Sequence, residues 1–167
     1  MHIDDLPEIP DVDYIDVQSM TDAEDVFSEY LPDLPQLTTE EYITPFQRVR
    51  FESAHFSDRY DDFFSAARRV REIVEEGGDP SEVISALEDL GDVAFYVRKN
   101  TNFILDNMES INGTKYHDLS YLVHEDRRPD FLSEMTQMIN HYSTVAEVVS
   151  ENDSKIVGHM EDLDDAL

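Results

Sequence analysis

Between Thr44 and Glu76 small or apolar residues return at alternating steps of three and four: Phe46, Val49, Ser53, Phe56, Tyr60, Phe63, Ala67, Val70 and Val74. That period draws one seam along a helix, roughly 48 Å long at about 1.5 Å rise per residue. Thr44 reads as its cap, Pro45 as its first turn and Gly77-Gly78 as its stop. The same rhythm recurs at Val83, Leu87, Leu90, Ala94, Val97, Thr101, Ile104, Met108 and Ile111, opened by Asp79-Pro80-Ser81-Glu82 and closed by Asn112-Gly113. A third seam runs through Phe131, Met135, Met138, Tyr142, Val145 and Val149 behind Pro129, and extends through Ile156, Met160 and Leu163.

No stretch of comparable length alternates with period two, so the expected fold is all-α: an elongated antiparallel three-helix bundle with an extended acidic N-terminal arm. The expected division is 1–37 for the arm, 38–152 for the bundle and 153–167 for an acidic tail or helix extension. Leu119, Tyr121, Leu122 and Val123, in the connector from Thr114 to Arg128, are expected to cap one end of the bundle. Phe51, Phe64, Ile73 and Ile84 lie off the main stripes and are read as widening the faces toward a second partner helix, with an exposed oligomer interface as the alternative.

The arm is a different material. Residues 1–37 hold four prolines (Pro7, Pro10, Pro32, Pro35), many acids and no Lys or Arg; the first basic residue is Arg48. Asp11 to Val17 reads as a short strand, and Thr21-Asp22-Ala23-Glu24 as a capping box opening a helix that ends before Pro32. Thr38-Thr39-Glu40-Glu41 reads as one further turn ahead of the long helix. Tyr14, Ile15, Val17, Phe27, Tyr30 and Leu31 are anchors that a solubility tail does not need, so the arm is expected to dock, on its own bundle or on neighbouring subunits. Arg68, Arg69 and Arg71 form a basic patch suited to receive an acidic arm, against the plainer reading that they pair with Glu72, Glu75 and Glu76.

Composition sharpens this picture. The 167 residues carry a formal charge of −27, with 39 acids against 12 bases, of which only Lys99, Lys115 and Lys155 are Lys. This balance looks like that of proteins from extreme halophiles, because at about 1 M salt the Debye length shrinks to roughly 3 Å and self-repulsion is screened. Acidity on this scale argues against direct nucleic-acid binding. There is no Cys, which excludes a disulfide framework, a thiolate metal site and a Cys nucleophile. No apolar run is long enough for a membrane span and no basic stretch followed by an apolar run opens the chain, so synthesis in the cytoplasm is expected.

Candidate chemistry is thin. Glu52-x-x-His55 is half of a carboxylate-bridged metal motif, and the second helix supplies no His to complete it. Asp58/Asp62 and Glu88/Asp92 have spacing for a hard cation, but such pairs arise by chance among 39 acids. No catalytic, cofactor or metal residue and no small-molecule substrate is therefore expected. The leading expectation is a non-enzymatic structural or assembly protein of an extreme halophile, a homo-oligomer or a subunit of a larger particle such as a virion connector or capsid-associated protein. The alternatives are a helical adaptor, regulator or chaperone-like binding module and, behind it, a carboxylate-metal bundle.

Overall fold

The computed structural model describes residues 2–32 and 36–167, the side chains of 36–39 excepted. The chain is all-helical, with no strand among the described residues. Among the described residues five α-helices follow in order: α1 (Ala23–Tyr30), α2 (Gln36–Glu75), α3 (Pro80–Gly113), α4 (Tyr116–Leu119) and α5 (Arg128–Ala166). Short 3₁₀ turns stand at Ile3–Asp5, Val17–Ser19, Ser120–Leu122 and Glu125–Arg127.

The long helices begin and end for local reasons. At the C-terminus of α2 the N–H of Gly78 donates to the carbonyl of Ile73 (2.9 Å) and that of Gly77 to Val74 (3.2 Å), the paired bonds of a Schellman stop. Gly77 takes φ of 72°, where a Cβ is strained. Asp79 then caps α3, accepting from the N–H of Glu82 (3.0 Å) and the hydroxyl of Ser81 (2.7 Å). The Ser81 bond, with that of Glu82 behind it, holds the Asp79 carboxyl below the usual carboxylate range.

The start of α2 corrects the sequence reading. The helix does not open at Thr44 but runs from Gln36, with Pro45 inside it. Proline in a helix interior deletes one main-chain bond and costs about 3 kcal/mol. Packing on both sides opposes that cost: Ile43 and Phe46 are buried, and the ring of Tyr42 meets that of Tyr116 edge-on at 5.6 Å. The capping role of Thr38 and Thr39, and Pro35 in the arm, lie outside the described side chains.

The chain divides into two compact units. One comprises 1–14, 55–101 and 149–167. Its core is Phe56, Tyr60, Phe63, Ala67 and Val70 of α2, Leu90 and Val97 of α3, and Val149, Ile156 and Leu163 of α5, joined by Leu6 from the N-terminal segment. The other comprises 15–54 and 102–148. It buries Val26, Phe27 and Tyr30 of α1, Phe46 and Val49 of α2, Ile104, Met108 and Ile111 of α3, and Phe131, Met138 and Tyr142 of α5.

Four further expectations change. The cap of α1 sits one residue later than read: the N-cap is Asp22, whose carboxylate accepts from the N–H of Glu24 at 3.0 Å. Residues 11–16 form no strand, for a reason given below. Of the four off-stripe residues, Ile73 is buried and Phe64 half-buried, but Phe51 and Ile84 are exposed and widen no internal face. In the connector Leu119 and Val123 are buried while Tyr121 and Leu122, side by side in the Ser120–Leu122 turn, both stand in solvent.

Candidate protein interface

The arm anchors are best followed unit by unit. In the 15–54/102–148 unit, Phe27, Tyr30 and Leu31 are buried within the chain itself. Phe131 meets Phe27 and Tyr30 edge-to-face at 6.4 and 5.5 Å, and Phe27 also meets Tyr116 at 6.3 Å. The Tyr30 hydroxyl donates to Glu134 (2.9 Å), and the Arg127 guanidinium lies 4.4 Å over the Tyr30 ring while its Nη2 meets Glu29 Oε1 at 2.9 Å. Partial desolvation first, then the Glu134 bond, raise the Tyr30 pKa. Tyr142 donates to the carbonyl of Thr21 at 2.6 Å, fixing the entry to α1. Ile15 and Val17 are half-buried.

In the other unit the first residues lie along α2 and α5 and are held by their main chain. Arg71 Nη1 donates to the carbonyl of Pro7 (2.9 Å), and His159 Nδ1 lies 3.1 Å from that of Glu8. Lys155 donates to Asp11 (3.0 Å), and Asn152 Nδ2 donates to Asp13 (2.7 Å) while its Oδ1 accepts the Asp13 N–H (3.1 Å). Because a carbonyl only accepts, the His159 proton is assigned to Nδ1. Asn152, Lys155 and His159 stand three and four residues apart on one face of α5 and read carbonyls of a segment running the opposite way. The Asn152 amide gives Asp13 both bonds that a neighbouring strand would give, so Asp13 needs no sheet here. Tyr14 is exposed and meets the ring of Tyr60 edge-on at 6.4 Å.

The basic patch divides. Arg71 reaches the arm at Pro7, whereas Arg68 and Arg69 are exposed on α2. Sequence reasoning gave none of Asn152, Lys155 and His159 a docking role, although two of them are buried polar groups. Asn152 interrupts the third apolar seam between Val149 and Ile156, and the structure buries His159 where the seam was read through Met160, which is half-buried; a buried polar side chain needs a partner.

Electrostatics around Asn152 yield a test. The amide also donates to the Tyr60 hydroxyl (3.0 Å), whose pKa burial pushes up to about 12 from 10.0 despite that bond. Next along α5, Asp153 has one carboxylate oxygen buried without a hydrogen-bond partner among the described residues. Burial raises its pKa and the charge of Arg98 opposes that only in part. An acid whose folded pKa lies above its unfolded value weakens the fold as pH rises through the folded value, where it must ionise in place. Asp153→Asn is therefore expected to raise the urea midpoint at neutral pH, with the gain shrinking as pH falls and the wild-type carboxyl takes up its proton. A gain that stayed constant with pH would remove ionisation as its cause.

Among the described residues no group of three or more His, Asp or Glu is placed to hold a metal ion, and no helix is long and apolar enough to cross a membrane. The features that stand out are apolar side chains left in water. Phe95 and Tyr96 on α3, ring to ring at 6.0 Å, are 64% and 59% exposed, and Tyr121 and Leu122 are 66% and 64% exposed. Compared with protein-family models, with curated proteins and with solved structures, the chain matches none.

Proposed function

We propose that this chain is a non-enzymatic assembly protein: an acidic helical subunit whose outward-facing aromatic side chains join it to other copies or subunits in concentrated salt. The observation that carries the reading is the exposure of Phe95, Tyr96, Tyr121 and Leu122 in a chain that already buries the α2 seam from Phe46 to Val74. Large contiguous apolar side chains in water mark contact surfaces, and Tyr and Phe are favoured at interface centres. The arm supports the reading in a modified form. Its anchors Phe27, Tyr30 and Leu31 are used within the chain, so contacts to neighbours fall to the exposed pairs. In this proposal α2, α3 and α5 are an antiparallel three-helix body, the acidic arm is a brace on it, and the setting is a multi-subunit particle of an extreme halophile, such as a virion connector or capsid-associated component. The −27 charge supports the saline setting, since unscreened copies would repel.

The test is native mass of the full chain by light scattering in molar KCl over a range of protein concentrations. Masses rising above 19.3 kDa with concentration are expected. A monomer throughout would end the self-assembly reading and favour an adaptor that offers the Phe95–Tyr96 face to a different protein.

A further inference from the structure

In the unit of residues 1–14, 55–101 and 149–167, α3 turns two rings outward. Phe95 and Tyr96 are each more than half exposed and meet edge-to-face at 6.0 Å, so they stand as one aromatic ridge. At about 100° per residue, Asp92, Phe95, Tyr96 and Lys99 fall within one arc of roughly 100°. Leu90 and Val97, which have no exposed surface, lie on the opposite side of the helix, in the core. The ridge is therefore surplus to the packing of its own unit. An exposed acid flanks it one turn ahead and an exposed base one turn behind. Neither Asp92 nor Lys99 has an ion pair or a side-chain hydrogen bond among the described residues.

The face is complementary to itself. A two-fold axis passing between Phe95 and Tyr96 sets α3 of one copy antiparallel to α3 of another. Phe95 of each copy then opposes Tyr96 of the other. The same axis sets Asp92 of each opposite Lys99 of the other, because both pairs are centred on the same point of the helix. A parallel pairing would instead set Lys99 against Lys99 and Asp92 against Asp92. Sequence also limits where two copies of charge −27 can touch. Residues 93–105 are the longest run in the chain without Asp or Glu, so rings centred there meet where acid is scarcest. The turn from α2 into α3 is a poorer seat for the ridge. Residues 72–82 carry five acids and no base, which would oppose Asp92, and the charge of Arg98, outside the arc, already acts on Asp153 of its own chain.

We propose that two copies of this chain pair through α3, antiparallel about a two-fold axis between Phe95 and Tyr96, with the rings at the centre and an Asp92–Lys99 pair on either side. This rests on the assembly reading above and names its partner, its surface and its register. Surface ion pairs add little affinity in concentrated salt, so the rings hold the contact and the charges select its direction.

The experiment uses full-length chains in molar KCl. Phe95→Gln with Tyr96→Gln removes the ridge at exposed positions without changing charge, so helix content by circular dichroism should hold. The unmodified chain is expected to scatter as a dimer of twice 19.3 kDa, and the variant as a monomer. Because the chain has no Cys, introduced thiols report register without interference. Asp92→Cys mixed with Lys99→Cys is expected to give a covalent dimer with a short bis-maleimide, in several-fold higher yield than either variant alone. If Phe95→Gln with Tyr96→Gln assembles as the unmodified chain does, or if the mixture links no better than its components, the antiparallel α3 contact is overturned while self-assembly through another surface stands. A monomeric unmodified chain overturns both.

Discussion

Phe131→Ala is expected to lower the unfolding free energy by about 3–5 kcal/mol, the range found when a fully buried aromatic is cut to a methyl group. Phe131 has no exposed surface, and its ring is the hub on which Phe27 and Tyr30 of α1 both rest edge-to-face. The collapse available to the site is limited, because α1 is fixed at one end by the Tyr142 bond to Thr21 and at the other by Arg127 on Glu29. Those ties hold α1 near its place, so a cavity persists and the cost falls toward the upper part of the range. Urea, rather than guanidinium chloride, is the suitable denaturant, since an ionic denaturant would screen a highly charged chain while unfolding it. Phe27→Ala is expected to cost a similar amount, and the pair should couple by about 0.5–1.5 kcal/mol beyond the buried area in a double-mutant cycle. Independent, additive losses would mean that the two rings do not rest on each other in solution.

The same residues explain what could be read from the chain and what could not. The seams were legible because a period between three and four is imposed by helix geometry, and Phe46 through Val74 of α2 are buried at the positions that the period gives. The start of α2 was not. Thr44-Pro45 has the chemistry of a helix opening, and the supports described ahead of Pro45, the burial of Ile43 and the contact of Tyr42 with Tyr116, are set by residues distant in sequence. The segment from Asp11 to Val17 carries enough apolar residues to lie along a surface, but apolar content does not reveal what supplies the main-chain partners. Here an amide from Asn152 supplies them. For the candidate interface, the aromatic surplus was visible in composition. Which rings stay in water depends on the Arg128 bonds to Ser120 and Val123, a tertiary arrangement without a local signature.

Salt sets the second large effect. The full chain is expected to lose cooperative folding in about 10 mM salt, where the Debye length is about 30 Å, and to gain stability up to about 1 M, where it is about 3 Å. The imbalance of 39 acids over 12 bases leaves most carboxylates with no cation to pair with. Even the cations present are partly spent on neutral groups: Arg71, Lys155 and Arg128 donate to main-chain carbonyls. Two Arg–acid pairs, Arg50 with Asp22 at 3.8 Å and Arg127 with Glu29 at 2.9 Å, are at the surface, where such pairs add about 0–1 kcal/mol. Along the helices Asp58/Asp62 and Glu88/Asp92 place like charges one turn apart, each pair costing about 0.2–0.5 kcal/mol when unscreened. Urea midpoints should therefore climb steeply with KCl and far less with sucrose, which favours compact states by exclusion without screening charge. Replacing those four acids together by Asn and Gln should flatten the KCl dependence, lifting the low-salt midpoint and leaving the molar-salt midpoint nearly unchanged. An equal lift at both ends would assign the gain to helix propensity instead of repulsion, and a KCl dependence matched by sucrose would remove screening as the source of the stability.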